Sequence, residues 1–297
     1  MKKRRNKFVV FFLAILLLVA GYYGVQVAQF FANIRDLNED DLYEEVIPRE
    51  KDPDYHRTNI LLLGIDARSP NERSRTDTIM ILSFDDKTKE ASLLSIPRDS
   101  RVTIPDRGLD KINHAHAFGG VPLTIKTVED FLDVPIHYYA RINFDGFEKI
   151  INDLGGVTIN VESHVARNSK ELESGLQRLD GAQALAYVRD RRSDSDIARV
   201  KRQQKFLKAV AKESLQVRTV TRAPQLLDSL GDNLRTNMPA MDMIRVANMF
   251  MNVDLDTIPQ GVIPGKGQMI GGVSYWVVDV DGTEELLLEL GLKRHYS

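Results

Sequence analysis

The sequence predicts an α/β fold, a mixed sheet flanked by helices on both faces, placed after an N-terminal transmembrane helix. Three observations predict it. Apolar runs of strand length at Ile60–Ile65, Thr78–Phe84 and Ala91–Ile96 lie close together. From residue 122 onward, helical periodicity alternates with strand-like segments. Residues Phe8–Val25 are all apolar, aromatic or glycine. A chain of 297 residues, 43% hydrophobic and 28% charged, can bury one large core or two small ones and reads as globular rather than disordered. Cysteine is absent, which removes disulfides, thiolate zinc sites and cysteine nucleophiles from consideration.

In chain order, residues 1–7 form a basic tail with Lys2, Lys3, Arg4, Arg5 and Lys7. Residues 8–28 are read as an uncleaved membrane anchor. Eighteen helical residues reach ~27 Å, close to the hydrocarbon thickness of a bilayer, and no small-x-small cleavage site follows them. Positive charge before the anchor and mainly acidic residues after it keep the tail cytoplasmic and put the rest of the chain outside, as a single-pass membrane protein. Beyond the tail, 35 basic side chains face 42 acidic ones, a net of −7 that argues against general nucleic-acid binding. Residues 29–57, charged and carrying Pro48 and Pro53, read as an extracellular stalk, and residues 58–297 as the extracellular domain.

Ile60–Ile65 is a run suited to a strand buried on both faces, and it ends at Asp66. Thr78–Phe84 and Ala91–Ile96 are two further strands joined by the turn Asp85-Asp86-Lys87-Thr88. Helices are expected at Pro122–Leu132, Phe144–Leu154, Gly181–Arg189, Asp196–Glu213, Pro239–Met251 and Thr283–Leu290, with strands at His137–Ile142, Val157–Val161 and Tyr275–Val280. Gly261–Gly267 (GVIPGKG) is one residue short of a phosphate loop and has no Ser or Thr after its lysine, so it reads as an ordinary loop.

The short turn between the second and third strands makes them antiparallel neighbours, so Arg98 and Asp99 should land near Arg75 and Asp77. Asp66 joins them if the first strand ends at the same edge. Two carboxylates on rigid strand ends can each give one oxygen to Mg²⁺, which keeps waters and takes other ligands from phosphates, and arginine forks suit the remaining phosphate oxygens. Alternatively, Asp66 and Asp77 cap turns and pair with Arg68 and Arg75. A second concentration, Arg189–Lys205, holds seven basic and three acidic residues, a local +4 in an acidic body. There Arg199, Arg202 and Gln203 share one helical face, with Arg189 and Arg191 approaching from the preceding segment; a solvated helix face is the plainer reading. His114 and His116 lack a third histidine and read as hydrogen-bonding rather than metal-binding. The five methionines from Met238 to Met251 read as core, although they would also suit the wall of a lipid-chain pocket.

The blocks NILLLGIDAR, RTDTIMI, SIPRDSRV, KINHAHAFGG, NFDGFEKIINDLGGVTINV and LDGAQALAYVRDRR…DIARVKRQQ, in that order over residues 59–210, resemble those of the LytR-CpsA-Psr family. The length and layout are most similar to its Gram-positive teichoic acid transferases. The resemblance implies an enzyme that moves a teichoic acid or related anionic glycan from a polyprenyl-pyrophosphate carrier to peptidoglycan, at a muramic acid 6-hydroxyl, as a phosphodiester. It implies Asp66 and Asp77 as ligands of Mg²⁺ or Mn²⁺, and Arg75, Arg98, Arg189, Arg191, Arg199 and Gln203 as pyrophosphate contacts. Arg98, Asp77 and Asp99 are the residues expected to act in the chemistry, the two acids as the nearest candidates for a general base. One position departs from the family, where Ala198 stands in place of the usual glycine before Arg199. Two rival readings are a membrane-anchored regulator that binds the lipid pyrophosphate without turning it over, and a hydrolase that gives the pyrophosphate to water.

Overall fold

The computed structural model describes residues 25, 29, 56–66, 74–85, 87–190, 196–216, 223–251 and 253–293. The anchor, apart from Val25, the stalk up to residue 55 apart from Gln29, and Arg191 lie outside the described residues. Among the described residues no helix is long and apolar enough to cross a membrane.

Three expected strands form the centre of the domain. β1 (Arg57–Ile65), β2 (Thr76–Asp85) and β3 (Ala91–Ser95) run as an antiparallel meander. The β2–β3 turn is closed by the Asp85 carboxylate, which accepts from the Lys87 and Thr88 N–H groups at 2.7 and 3.0 Å. β6 (Tyr138–Asn143) adds parallel to β1 on the other side. The short strands β9 (Leu234–Thr236) and β10 (Gln260–Val262) complete a six-stranded mixed sheet of order β10-β3-β2-β1-β6-β9. Three separate two-stranded ribbons surround it: β4 (Arg101–Ile104) with β5 (Gly108–Lys111), β7 (Val157–Val161) with β8 (Gly175–Leu179), and β11 (Gly265–Ile270) with β12 (Val273–Val278).

Both faces of the sheet are covered, as expected from apolar runs without alternation. On one face Leu61, Leu63, Ile79, Ile81, Leu94 and Ile96 pack against α1 (His114–Leu132) and α8 (Val280–Glu289). On the other, Ile60, Leu62, Phe84, Tyr138 and Ala140 pack against Met243, Val246 and Met249 of α7 (Ala240–Phe250). A third cluster joins α2 (Phe144–Leu154), β7, α4 (Gly181–Arg189) and Phe206 of α5 (Asp196–Ser214). The remaining helices are α3 (Ser163–Ala166) and α6 (Ala223–Asn233). At roughly 1.5–3 kcal/mol for each fully buried aliphatic side chain, the two sheet faces are the dominant favourable term.

Several boundaries differ from the sequence reading. α1 begins at His114 rather than Pro122, because it bends at Gly119 and at Gly120 (φ 61°, ψ −152°), and Pro122 sits in the first turn after the bend. GVIPGKG is not a simple loop: it supplies the edge strand β10 and the start of β11. Gly261 fits there because a Cβ would stand 2.6 Å from Leu286 Cδ1. Val157–Val161 is a strand, but it pairs with β8 outside the main sheet. The methionine stripe divides: Met238 and Met249 are buried, whereas Met241 and Met251 are exposed.

α4 carries the first arginine of the basic stretch and is placed by close contact. Asp180 caps it in a full capping box with Gln183, and the Gly181 N–H donates to Asn152 Oδ1 at 2.8 Å. A Cβ on Gly181 would lie 2.3 Å from the Glu148 carbonyl oxygen of α2. Gly181→Ala is therefore expected to push α4 from α2 and lower stability by about 1–3 kcal/mol, read as a shift in the denaturant midpoint.

Candidate active site

The site lies where β1 and β3 end and β2 begins. Gly64 pairs with Thr78 and Ile65 with Thr76, so Asp77 is the extra residue of a β-bulge on β2. Bulges re-aim side chains at sheet rims, and here the residue released from the ladder is one of the two predicted metal acids. Asp66 follows the last residue of β1, and its N–H approaches the Arg75 carbonyl at 3.4 Å. From the end of β3, Arg98 reaches across and pairs with Asp77. Its Nε also lies 3.4 Å from Asp99 Oδ2. The expected return of the third strand to the start of the second is thus observed.

Asp99 is held between cations. Lys111 Nζ donates to its Oδ1 at 2.7 Å. Burial would raise its pKa, but the Lys111 hydrogen bond and the charges of Arg98, Lys111 and Arg199 outweigh this and hold it below the usual carboxylate value. Asp99 is therefore ionised at neutral pH and a weak base. The backbone here is fixed as well: the Asp99 carbonyl accepts from the Trp276 N–H at 2.8 Å, and the Arg98 carbonyl from the Asn113 N–H at 3.2 Å.

The second concentration converges on the same place from α4 and α5. The exposed Arg189 stacks 4.2 Å from the Phe144 ring centroid and lies 3.9 Å from Asp66 Oδ2. Arg199, 4% exposed, pairs with Asp196 at 2.9 Å, and its charge reaches Asp99. The three-residue face of α5 is not uniform. Arg202 turns to Asp190, donating to its carbonyl at 2.6 Å, whereas Gln203 Nε2 donates to the Val188 carbonyl at 3.3 Å. Gln204, one residue on, is buried and fastens α5 to the sheet through Ser95 Oγ and the Gly261 carbonyl, at 2.9 and 2.8 Å.

The structure therefore joins Asp77, Arg98, Asp99 and Arg199 in one cluster, and joins Asp66 with Arg189 beside it. Arg75 is exposed at the edge, where its charge bears on Asp110. Gln203 is anchored to α4, and Arg191 falls outside the described residues. The sequence reading missed Lys111 and Phe144. Lys111 stands directly before INHAHAFGG and Phe144 directly after the sixth strand, so only the pairing of β4 with β5 and of β1 with β6 shows that they reach the site.

Both histidines have Nδ1 engaged by an oxygen. His114 Nδ1 lies 2.8 Å from Asp110 Oδ2. His116 is buried with Nδ1 2.8 Å from the Ser74 carbonyl; a carbonyl only accepts, so Nδ1 carries the proton. Among the described residues no group of three or more His, Cys, Asp and Glu could hold a metal ion. Two carboxylates on adjoining strand ends, one of them freed by a bulge, do fit a hard cation that completes its shell with water and phosphate oxygen.

Residues 23–290 match the model of the LytR_cpsA_psr family, and the chain belongs to that family. It is 37% identical over 254 residues, 82% of its length and 78% of the relative's, to the polyisoprenyl-teichoic acid–peptidoglycan teichoic acid transferase TagT of Bacillus subtilis (strain 168). A solved structure of TagT bound to LIIa-WTA superposes with a TM-score of 0.70 at 37% identity, covering 82% of this chain and 92% of that one. A second, YwtF (TagT) with bound octaprenyl pyrophosphate lipid, gives 0.65 at 32% identity, covering 86% and 96%.

His116 supplies a pH test of how the β2 entrance is held. Burial lowers its pKa from 6.5 to about 4, against the raising effect of the Ser74 carbonyl and with a smaller push from Arg141. It is neutral in the fold while the unfolded chain protonates near pH 6.5, so its contribution is complete above that pH and is lost as the pH falls toward 4. At about 1.4 kcal/mol per unit, the unfolding free energy should drop by about 3 kcal/mol across that window. Denaturant titrations of His116→Asn should show a flatter profile there.

Proposed function

We propose that this chain is a cell-wall glycopolymer transferase, moving a teichoic acid from a polyprenyl-pyrophosphate carrier to peptidoglycan. One observation carries the reading: Arg98, Arg199 and Lys111 converge at the strand ends of an acidic domain, in a chain 37% identical to a transferase of that name. Such a cluster suits a pyrophosphate, whose charge grows on the leaving oxygen as the bond breaks.

In this reading Arg98, Arg199 and Arg189 hold the pyrophosphate oxygens, with Arg75 at the rim and Gln203 fixing α5 against α4. The muramic acid 6-hydroxyl attacks the sugar-linked phosphorus. A new phosphodiester forms, the pyrophosphate P–O bond breaks, polyprenyl phosphate leaves, and the hydroxyl proton passes out of the site. Asp99 stays ionised between Arg98 and Lys111, so its part is to aim Arg98 rather than to take that proton. Asp66 and Asp77 would hold Mg²⁺, or Mn²⁺ in its place, which supplies charge neutralisation at the pyrophosphate. Asp77 would then exchange part of its pairing with Arg98 for the ion.

The carrier fixes the setting. A polyprenyl donor stays at the membrane, which agrees with residues 8–28 as the anchor and with a domain on the outer, peptidoglycan side. A nucleotide is not required, because the pyrophosphate already stores the driving force.

Two substitutions test the reading in the full chain, supplied with a short polyprenyl-pyrophosphate glycan, peptidoglycan oligomers and Mg²⁺. Arg98→Ala should lower kcat/KM by about 10²–10³, the usual cost of removing a group that stabilises developing charge. Asp77→Ala should abolish the response of turnover to added Mg²⁺. Stoichiometric lipid binding without product would make the protein a regulator instead, and free polymer in place of linked polymer would make it a hydrolase.

A further inference from the structure

We propose that a small cavity next to Asp66 is a second anion subsite, in which Arg141 and Arg235 take one phosphodiester of the donor glycan. The identity of the donor rests on the transferase reading, whereas the existence of the subsite does not. The cavity has a volume of about 240 Å³, enough for one phosphate with part of its ester. Ile65, Arg141, Asn143 and Arg235 line it, with Asp145 and Asp232 on its wall.

Arg141 and Arg235 are direct partners across the antiparallel β6–β9 pair, so their side chains leave the sheet on the same face. Like charges placed directly opposite repel and destabilise the pair. Arg141 is 6% exposed, and no hydrogen bond or ion pair among the described residues engages its guanidinium. Arg235 donates through Nη1 to the Gly231 and Leu234 carbonyls at 3.0 Å each, while its Nε is buried without a hydrogen-bond partner. Among the described residues neither nearby acid forms an ion pair with the two arginines. Asp232 is drawn toward Lys149 at 3.4 Å, and Asp145 is exposed in the first turn of α2. Holding two guanidinium charges together in a partly buried site is costly unless an anion joins them. One arginine fork already satisfies a carboxylate; two forks from facing strands suit the larger oxygen set of a phosphate.

Position ties this cavity to the reaction. Ile65 directly precedes Asp66, and its partner on β6, Asn143, directly precedes Phe144, the ring on which Arg189 stacks. The cavity therefore adjoins the cluster at the same strand ends, where a glycan held by its pyrophosphate would present its next charged group.

Calorimetric titration of the full chain in detergent tests this with three probes: a synthetic glycerol phosphate trimer, inorganic phosphate and octaprenyl pyrophosphate. The trimer should bind, and Arg235→Gln should weaken it at least about tenfold, the loss of one charge-assisted hydrogen bond. Arg235→Lys should restore part of that affinity, and octaprenyl pyrophosphate should bind the wild type and R235Q equally. Arg235 is chosen because it is only half-buried, and an unchanged melting temperature certifies the fold. Trimer affinity unchanged in R235Q would overturn the subsite. Inorganic phosphate binding as tightly as the trimer, and lost in R235Q, would overturn the donor assignment in favour of a free-phosphate site. Trimer binding that depends on Arg235 in a protein showing no transfer would sustain the subsite while removing the transferase reading.

Discussion

Everything at the site depends on the antiparallel pairing of β1, β2 and β3. Asp66, Asp77 and Arg98 are separated by 11 and 21 residues in the chain, yet this meander returns them to one edge. The pairing is held by apolar side chains on both faces, so its register is strongly fixed: a slip of one residue would exchange buried positions with those facing the opposite layer. The charged cluster has no comparable support of its own. Its ion pairs are partly exposed, and pairs of that kind contribute little to stability. The core supplies the geometry, and the cluster uses it.

Charge at the strand ends is arranged so that carboxylates orient cations rather than cancel them. Asp77 and Asp99 steer Arg98, Asp196 steers Arg199, and Asp66 lies within reach of Arg189. Each arginine is held on one side, in the fork geometry that recognises planar or tetrahedral oxyanions. The buried tie from Gln204 to Ser95 and Gly261 matters for the same reason. It fixes the helix carrying Arg199 to the strand that leads into Arg98, so the two basic groups move as one body.

Much of this was legible in the sequence, and the limits have physical causes. The continuous apolar run Ile60–Ile65 and the strand-like segments Thr78–Phe84 and Ala91–Ile96 announced β1 to β3, and the short Asp85–Thr88 turn announced that β2 and β3 are antiparallel. Those two signals sufficed to bring Arg98 to Asp77. The β4–β5 ribbon and the strands β9 and β10 were not legible, because three or four residues carry too little periodicity, whereas Val157–Val161 and Tyr275–Val280 announced one strand of each of the other two ribbons. Lys111 and Phe144 escaped for a related reason, since their partners are distant in the chain and only the finished pairing reveals them. The pattern from residue 114 to 121 was obscured by the two glycines at which α1 bends. Arg141 and Arg235 gave no signal at all: each is a lone arginine in an ordinary segment, and they become neighbours only through the β6–β9 register.

The bulge at Asp77 has an evolutionary corollary. Deleting that single residue would leave a more regular ladder, with Thr76 and Thr78 following one another along the strand as Ile65 and Gly64 do opposite them. Sheet regularity alone thus favours losing the residue, and selection for folding would not retain it. An insertion or deletion nearby would also act all or none, moving the acid by a whole side-chain alternation rather than by a fraction of an ångström. Drift by small steps is closed to this position, so related chains should preserve the spacing from Asp77 to Arg98 more strictly than the identities of the residues between them.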